Sequence, residues 1–141
     1  MKFYILFLLA MPVIMQAQTG EPAAEPVPNT RIEWNRDTLH FGEIEEGTLL
    51  LDSFIVKNIG DAPYLIRDIK TTCDCTLVKY PKKPIPPGKS GTIRLEFESV
   101  GKSGATYPGL VVYDNSSPNA RSILYLNGYI IPRRKIQVIK Q

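Results

Sequence analysis

Residues 92–98 alternate apolar and polar side chains without interruption, and this pattern constrains the fold more than any other feature of the chain. Ile93, Leu95 and Phe97 fall on one side of an extended backbone, and the residues between them are polar or charged. Side chains of a strand point to opposite faces in turn, so the segment is predicted to be a half-buried antiparallel strand. No window shows the helical period of about 3.6 residues together with helix caps. The sequence therefore predicts an all-β protein.

Seven more short segments have strand-like patterns, at residues 32–34, 38–41, 48–57, 64–69, 77–80, 110–113 and 122–131. Twelve prolines and ten glycines supply turns between them. Both alternate sets of positions in residues 48–57, odd-numbered and even-numbered, contain apolar residues. Either both faces of this strand are covered, or a bulge shifts its register. Residues 43–46, between Gly42 and Gly47, are predicted to form a turn. About seven or eight short strands fit an immunoglobulin-like antiparallel β-sandwich, with a small closed barrel as the alternative.

The first 17 residues have the layout of a secretory signal peptide. Lys2 supplies the positive start, residues 3–15 are almost wholly apolar, and the cut is predicted between Ala17 and Gln18. The alternative is an uncleaved membrane anchor, but the apolar run is short of the roughly 20 residues that span a bilayer. We therefore expect export to the periplasm or the cell surface of a Gram-negative bacterium, with no transmembrane segment after signal cleavage.

The mature chain divides into three predicted parts. These are a proline-rich tether at residues 18–30, an immunoglobulin-like domain at residues 31–132 and a basic tail at residues 133–141. The formal charge of +3 says little about partners because four basic residues lie in the tail. Basic residues elsewhere are scattered and are not interleaved with aromatic ones, so no nucleic-acid surface is predicted.

Cys73 and Cys75 enclose Asp74 and form the one chemically suggestive motif. On a regular strand, side chains at this spacing stand further apart than the Cβ–Cβ distance of about 3.5–4.5 Å in relaxed disulfides. A disulfide would need a turn at Asp74 and would be easy to reduce, which would suit redox chemistry. A metal site would need further ligands, and His40 is the only histidine, while all three methionines precede residue 18. The third interpretation is two free, half-buried thiols that pack at a sheet edge.

No catalytic constellation is recognisable in the sequence. No Gly-x-Ser-x-Gly elbow marks a nucleophile, and His40 stands between two core-facing positions, which directs it towards solvent. Glu43, Glu45 and Glu46 could serve glycoside hydrolysis or calcium binding only within a shaped cleft or an oxygen cage. We therefore predict a protein that is not an enzyme and has no cofactor and no metal.

Several short motifs follow one another along the chain: Phe41-Gly42-x-Ile44-x-x-Gly47, Phe54, Asn58-x-Gly60, Cys73-x-Cys75-Thr76, Pro84-Ile85-x-Pro87-Gly88 and residues 104–115. Their order and spacing, over residues 32–132, resemble a family of exported bacterial domains of unknown function. The resemblance implies an immunoglobulin-like fold related to ASH, major-sperm-protein and pilus-chaperone-like sandwiches, without an established catalytic activity. The family usually reads Cys-Gly-Cys-Thr. Here Asp74 takes the place of the glycine, which would suit a positive φ or a close backbone approach.

Two hypotheses of function follow from these observations. The first is a non-enzymatic binding or structural module that contacts a protein partner in the cell envelope through a sheet edge or the end loops. The second is a thiol redox or metal-handling protein that acts through the motif Cys73, Asp74, Cys75 and Thr76.

Overall fold

A computed structural model of the protein describes residues 30–133. These residues form nine strands and no helix, so the predicted all-β class is confirmed. The strands are β1 (Ile32–Trp34), β2 (Thr38–Glu45), β3 (Leu49–Asn58), β4 (Ile66–Thr71), β5 (Thr76–Lys79), β6 (Ser90–Glu98), β7 (Gly104–Thr106), β8 (Gly109–Asp114) and β9 (Arg121–Ile131).

The strands form two sheets that enclose one hydrophobic core, as in an immunoglobulin-like sandwich. The four-stranded sheet has the order β1-β3-β6-β5, and the five-stranded sheet has the order β2-β9-β8-β4 with the short β7 also beside β9. The strand pairs are antiparallel, as predicted, except that β2 runs parallel to β9. This parallel pair begins with Thr38 opposite Tyr125 and ends with Glu45 opposite Ile131.

Residues 35–37 carry the chain from the four-stranded sheet to the five-stranded sheet. Arg36 fixes this crossing, because its Nη2 donates to Asp52 Oδ1 and to the carbonyl oxygen of Ser53, both at 2.6 Å. The Arg36 guanidinium also lies 5.6 Å from the centroid of the Phe54 ring. The crossing is therefore held against β3 by charge, hydrogen bonds and ring contact.

The core contains the residues that the alternation directs inward. Ile93, Leu95 and Phe97 of β6 are at most 1% exposed, which confirms the predicted alternation. Other core side chains include Leu39, Phe54, Val56, Tyr64, Leu110, Val112, Leu124, Leu126 and Ile130. Since full burial of one large apolar side chain contributes about 1.5–3 kcal/mol, this cluster is the main source of stability for the sandwich.

Strand β2 continues through the segment that the sequence predicts as a turn. Gly42 has a φ of 69°, and the register of β2 against β9 shifts between His40 and Gly42. Pairing with β9 then resumes and extends to Glu45. The predicted turn is therefore wrong for residues 43–45, because the positive-φ glycine makes a β-bulge inside the strand and does not end it; the chain turns only at Glu46 and Gly47.

Neither of the two arrangements considered for residues 48–57 is observed. Strand β3 pairs with β6 along its length without a register shift. Phe54 and Val56 are buried, but Leu49, Leu51 and Ile55 lie on the outer face and are 40% to 65% exposed. The second apolar row of this strand is thus left uncovered.

One strand boundary and one additional strand also differ from the prediction. Strand β4 begins at Ile66, while Tyr64 forms only an isolated bridge with Ile85. Strand β7 was not predicted, because its three residues, Gly104–Thr106, are too short and too small for a recognisable alternation.

The predicted signal peptide at residues 1–17 lies outside the described residues. So do the tether at residues 18–30, apart from Thr30, and the basic tail at residues 133–141, apart from Arg133. No helix that could cross a membrane is found between residues 30 and 133. Export and tethering remain predictions.

Candidate functional site

The cysteine motif lies in the turn that joins β4 of one sheet to β5 of the other. Cys73 and Cys75 are joined by a disulfide, with their Cα atoms 5.1 Å apart. Residues 72–75 leave the strand conformation, and this turn brings together side chains that a regular strand would hold apart. The interpretation as two free thiols is therefore wrong.

Hydrogen bonds fix the turn to both sheets. The amide of Thr72 donates to the carbonyl of Gly109 in β8 at 2.9 Å, and the amide of Gly109 donates to Thr72 Oγ1 at 2.8 Å. On the other side, the amide of Glu98 in β6 donates to the carbonyl of Cys75 at 2.9 Å. The turn is thus anchored independently of the disulfide.

The two sulfur atoms have different surroundings. The amide of Cys75 donates to Cys73 Sγ at 3.2 Å, whereas the polar neighbour of Cys75 Sγ is Thr76 Oγ1 at 3.9 Å. Both cysteines are half-buried, Thr76 is buried and Asp74 is exposed. Asp74 does not have a positive φ, so it takes the glycine position of the family pattern without left-handed strain.

The other predicted candidates do not assemble around this turn. Between residues 30 and 133, no three or more His, Cys, Asp or Glu side chains lie close enough together to hold a metal ion. His40 is exposed, as predicted, and Glu43 and Glu45 are exposed on β2. Glu46 accepts a hydrogen bond from the amide of Gly101 at 3.2 Å and so belongs to the loop structure.

The motif residue Asn58 is a structural centre for the loops at one end of the sandwich. Its side chain is fully buried, and its Nδ2 donates to the carbonyls of Ala62 at 2.8 Å and Ile85 at 2.9 Å. Its Oδ1 accepts from the amide of Gly60 at 3.0 Å. The side chain therefore joins the loop at residues 60–62 to the backbone at Ile85, with both of its donors and one of its two acceptor positions used.

A second buried polar group links Tyr64 to Asp114. The Tyr64 hydroxyl donates to Asp114 Oδ2 at 3.2 Å, and Asp114 Oδ1 accepts from the amide of Ser116 at 2.8 Å and from its Oγ at 2.6 Å. Burial raises the pKa of Tyr64 far above its ordinary value, and the negative charge and hydrogen bond of Asp114 raise it further. Tyr64 therefore remains a protonated hydrogen-bond donor and is not a candidate base.

A row of apolar side chains on the outer face of the five-stranded sheet was not predicted from the sequence. We call Ile123, Tyr125, Tyr129 and Ile131 of β9 the tyrosine face. They are 45%, 43%, 47% and 42% exposed, although β9 lies between β2 and β8 and is not an edge strand. Residues 122–131 are apolar on both parities, which is the signal that could have identified this face.

Charged side chains of opposite sign flank the tyrosine face. On β2, Glu43 lies opposite Tyr129, and Glu45 lies two residues further along the strand. On the other flank, β4 has the exposed Lys70 and Asp68 on this same face. The outer face of this sheet therefore has an acidic side at β2, while its β4 side has charges of both signs.

The outer face of the four-stranded sheet has a second apolar group, which includes Ile55. We call Leu49, Leu51 and Leu77 the leucine face; they are 56%, 65% and 64% exposed. Leu51 and Leu77 both lie opposite Glu96, and Lys79 Nζ is 3.2 Å from Glu96 Oε1. An ion pair therefore interrupts this apolar group.

The two sheets and their shared core define the protein as an immunoglobulin-like β-sandwich of the type found in ASH/PapD-like domains. The chain belongs to the family described as "Protein of unknown function (DUF1573)", whose model matches residues 32–130. The resemblance inferred from the order of the motifs is thereby confirmed.

Solved structures share the fold at low sequence identity. A Porphyromonas gingivalis protein of unknown function superposes with a TM-score of 0.64 at 15% identity, over 78% of this chain and 51% of that one. The ASH/PapD-like domain 7 of human CEP192 gives 0.57 at 12% identity, over 87% and 100% of the two chains. The secreted serine protease VesC of Vibrio cholerae gives 0.56 at 11% identity, over 72% and 23%.

These similarities establish the fold alone. The chain spans about half the length of the Porphyromonas protein and under a quarter of the protease. No curated protein matches the chain.

Proposed function

We propose that the protein is an exported, non-enzymatic module of the bacterial cell envelope that binds another protein through the tyrosine face. The observation that carries this proposal is the row of four apolar side chains on β9, each more than 40% exposed, on a strand inside the sheet. Large apolar side chains grouped on the exposed face of a small domain mark an interaction surface, and here they lie two on each side of Asn127. Tyrosine is also among the residues enriched at protein interfaces and at their energetic centres.

The flanking charges indicate what kind of partner fits this face. Glu43 and Glu45 favour basic side chains on the β2 flank, whereas the β4 flank carries both Lys70 and Asp68. Complementary charges of this kind set the orientation of a complex and its association rate more than its affinity. The partner is therefore a protein surface with an apolar centre and a basic side that meets β2.

The proposed location follows from the sequence. The positive start, the apolar run at residues 3–15 and Ala17 favour cleavage of a signal peptide. The proline-rich residues 18–30 then serve as a tether for the sandwich. The partner is sought in the periplasm or at the cell surface of a Gram-negative bacterium.

Photo-crosslinking in cells tests the site directly. A photoreactive amino acid replaces Tyr125 in the full-length chain, and Leu51 in a control chain. The crosslinked protein is identified, purified and titrated against purified full-length protein. We expect nanomolar to micromolar binding that weakens at least tenfold in the double variant Tyr125→Ser/Tyr129→Ser.

The matched control is Leu51→Ser/Leu77→Ser, which replaces two large apolar side chains of the leucine face that are 65% and 64% exposed. We expect this variant to bind like the wild type. Equal binding by both double variants, or selective loss in the leucine variant, would contradict the proposal. If the chain crosslinks only to other copies of itself, the tyrosine face mediates self-association, and the proposal of a different protein as partner is wrong. Melting temperatures within a few degrees of wild type confirm that the variants are folded.

A further inference from the structure

Compared with other disulfides, the Cys73–Cys75 bond contributes little to the stability of the folded domain. Its sequence separation is 2, so it closes a loop of three residues. In the chain-entropy model such a loop gives roughly half the stabilisation of a fifteen-residue loop. A bond with this small structural effect, in a half-buried turn of a chain that already has a core, indicates a chemical role.

The turn can also keep its shape when the bond opens. Thr72 is held to Gly109 by two hydrogen bonds of 2.9 and 2.8 Å, and the Cys75 carbonyl is held by the amide of Glu98 at 2.9 Å. None of these bonds involves a sulfur atom. The two thiols of the reduced form therefore stay close enough to form the disulfide again.

The hydrogen bond at the motif makes the two sulfurs chemically unequal. An N–H group aimed at sulfur stabilises negative charge there, and the amide of Cys75 points at Cys73 Sγ from 3.2 Å. In thiol–disulfide exchange the sulfur that carries negative charge more readily is the better leaving group. Cys73 Sγ is therefore the leaving sulfur and Cys75 Sγ the sulfur that is attacked.

We propose that Cys73 and Cys75 form an exchangeable redox pair that accepts electrons from a protein dithiol. One thiolate of that dithiol attacks Cys75 Sγ, the bond to Cys73 breaks, and its electron pair leaves on Cys73 Sγ. The second thiolate of the dithiol then attacks the first dithiol sulfur, which is bonded to Cys75 in the mixed disulfide, and releases Cys75 as a thiolate. Two electrons and two protons pass to the pair, and the dithiol becomes a disulfide. This activity does not depend on the tyrosine face.

Equilibration in glutathione buffers tests the redox role. Full-length oxidised protein is incubated with increasing ratios of reduced to oxidised glutathione beside a reference protein that has a long-loop structural disulfide. Thiols are blocked and counted by mass spectrometry. We expect the Cys73–Cys75 bond to be half reduced at a ratio at least tenfold lower than the reference requires. Reduction together with the reference, or after it, would overturn the proposal.

Trapping tests which sulfur is attacked. A brief reaction with glutathione, stopped in acid, should leave the glutathione adduct on Cys75; an adduct on Cys73 would overturn the assignment. The single variants give a second measurement. Cys73 in Cys75→Ser should be alkylated by iodoacetamide at lower pH than Cys75 in Cys73→Ser, and equal pH profiles would count against the N–H effect.

The double variant Cys73→Ser/Cys75→Ser separates a redox role from a structural one. We expect it to fold, to melt about 5–12 °C below the wild type and to show no exchange with glutathione. Failure of this variant to fold, while Asp74→Ser folds normally, would identify the disulfide as a structural bond and reject the redox role.

Discussion

The hydroxyl group of Tyr64 donates a hydrogen bond to Asp114 Oδ2 across the end of the sandwich, at 3.2 Å. Tyr64→Phe removes this donor, so Asp114 Oδ2 loses this hydrogen bond in a buried site. We expect the free energy of unfolding to fall by about 1.5–3 kcal/mol, the range for hydrogen bonds to charged groups. Urea denaturation measures the change. Tyr107→Phe is the matched control because Tyr107 is 65% exposed, and an equal effect of both changes would contradict the prediction.

The same pair predicts how stability depends on alkaline pH. Below about pH 10 tyrosine keeps its proton in both the folded and the unfolded chain, so Tyr64 adds no pH dependence. Above that value the unfolded chain loses a proton that folded Tyr64 retains, because burial and Asp114 raise the pKa of Tyr64 in the folded protein. The free energy of unfolding should then fall by about 1.4 kcal/mol per pH unit.

Denaturation at a series of pH values from 9 upward measures this slope. Tyr64→Phe should reduce it, and Tyr107→Phe should leave it as in the wild type. An unchanged slope in Tyr64→Phe would show that other groups cause the alkaline loss of stability.

Asn58→Ala should be among the most destabilising substitutions in the domain. It removes hydrogen bonds from the partly buried carbonyl of Ala62 and the buried amide of Gly60, and one of two from the carbonyl of Ile85, which keeps the amide of Tyr64 as a donor. Each unsatisfied buried group costs about 1–3 kcal/mol, so we expect a loss of about 2 kcal/mol or more. Asn119→Ala, at an exposed position, should change stability by less than about 0.5 kcal/mol. Similar denaturation midpoints for the two variants would refute a structural role for Asn58.

Gly128→Ala should destabilise the protein by a clash. A Cβ atom at Gly128 would overlap the ring of Phe41, whose centroid is 5.8 Å from that of Phe97 in the core. Overpacking of this kind costs about 1–3 kcal/mol. Gly109→Ala should be tolerated, because its Cβ would have an ordinary contact of 3.5 Å with Thr72.

A second background isolates the cause of the Gly128 effect. In Phe41→Leu the smaller side chain leaves room for the added methyl group, so Gly128→Ala should cost less there than in the wild type. Thermal denaturation of the four proteins forms a double-mutant cycle. A cost of the same size in both backgrounds would show that the Phe41 ring is not the obstacle.

Local pattern was sufficient to predict part of the fold. Residues 92–98 predict β6 because their apolar side chains occupy a single parity, and all three are buried as expected. The same reasoning fails at β3 and β9, where both parities are apolar. Which parity is buried there depends on the position of the opposite sheet, and no local pattern contains that information.

The candidate sites depend on long-range contacts in the same way. The spacing of Cys73 and Cys75 suggested free thiols on a strand, but hydrogen bonds from Gly109 and Glu98 hold the segment as a turn in which the disulfide forms. The Gly42 bulge is a similar case, since glycine alone does not distinguish a bulge from a turn. Pairing with β9 decides between them.

The parallel pairing of β2 with β9 determines how the domain responds to mechanical force. Thr38 begins β2 beside Tyr125, and Ile131 ends β9 beside Glu45, so the two strands leave their contact at opposite ends. A pull on both ends of the chain detaches the three-residue β1 first and then loads the β2–β9 hydrogen bonds in shear, all together. We expect a higher rupture force than for strands that unzip one bond at a time, which single-molecule force spectroscopy measures. A sandwich held by its two ends would therefore bear tension along its length.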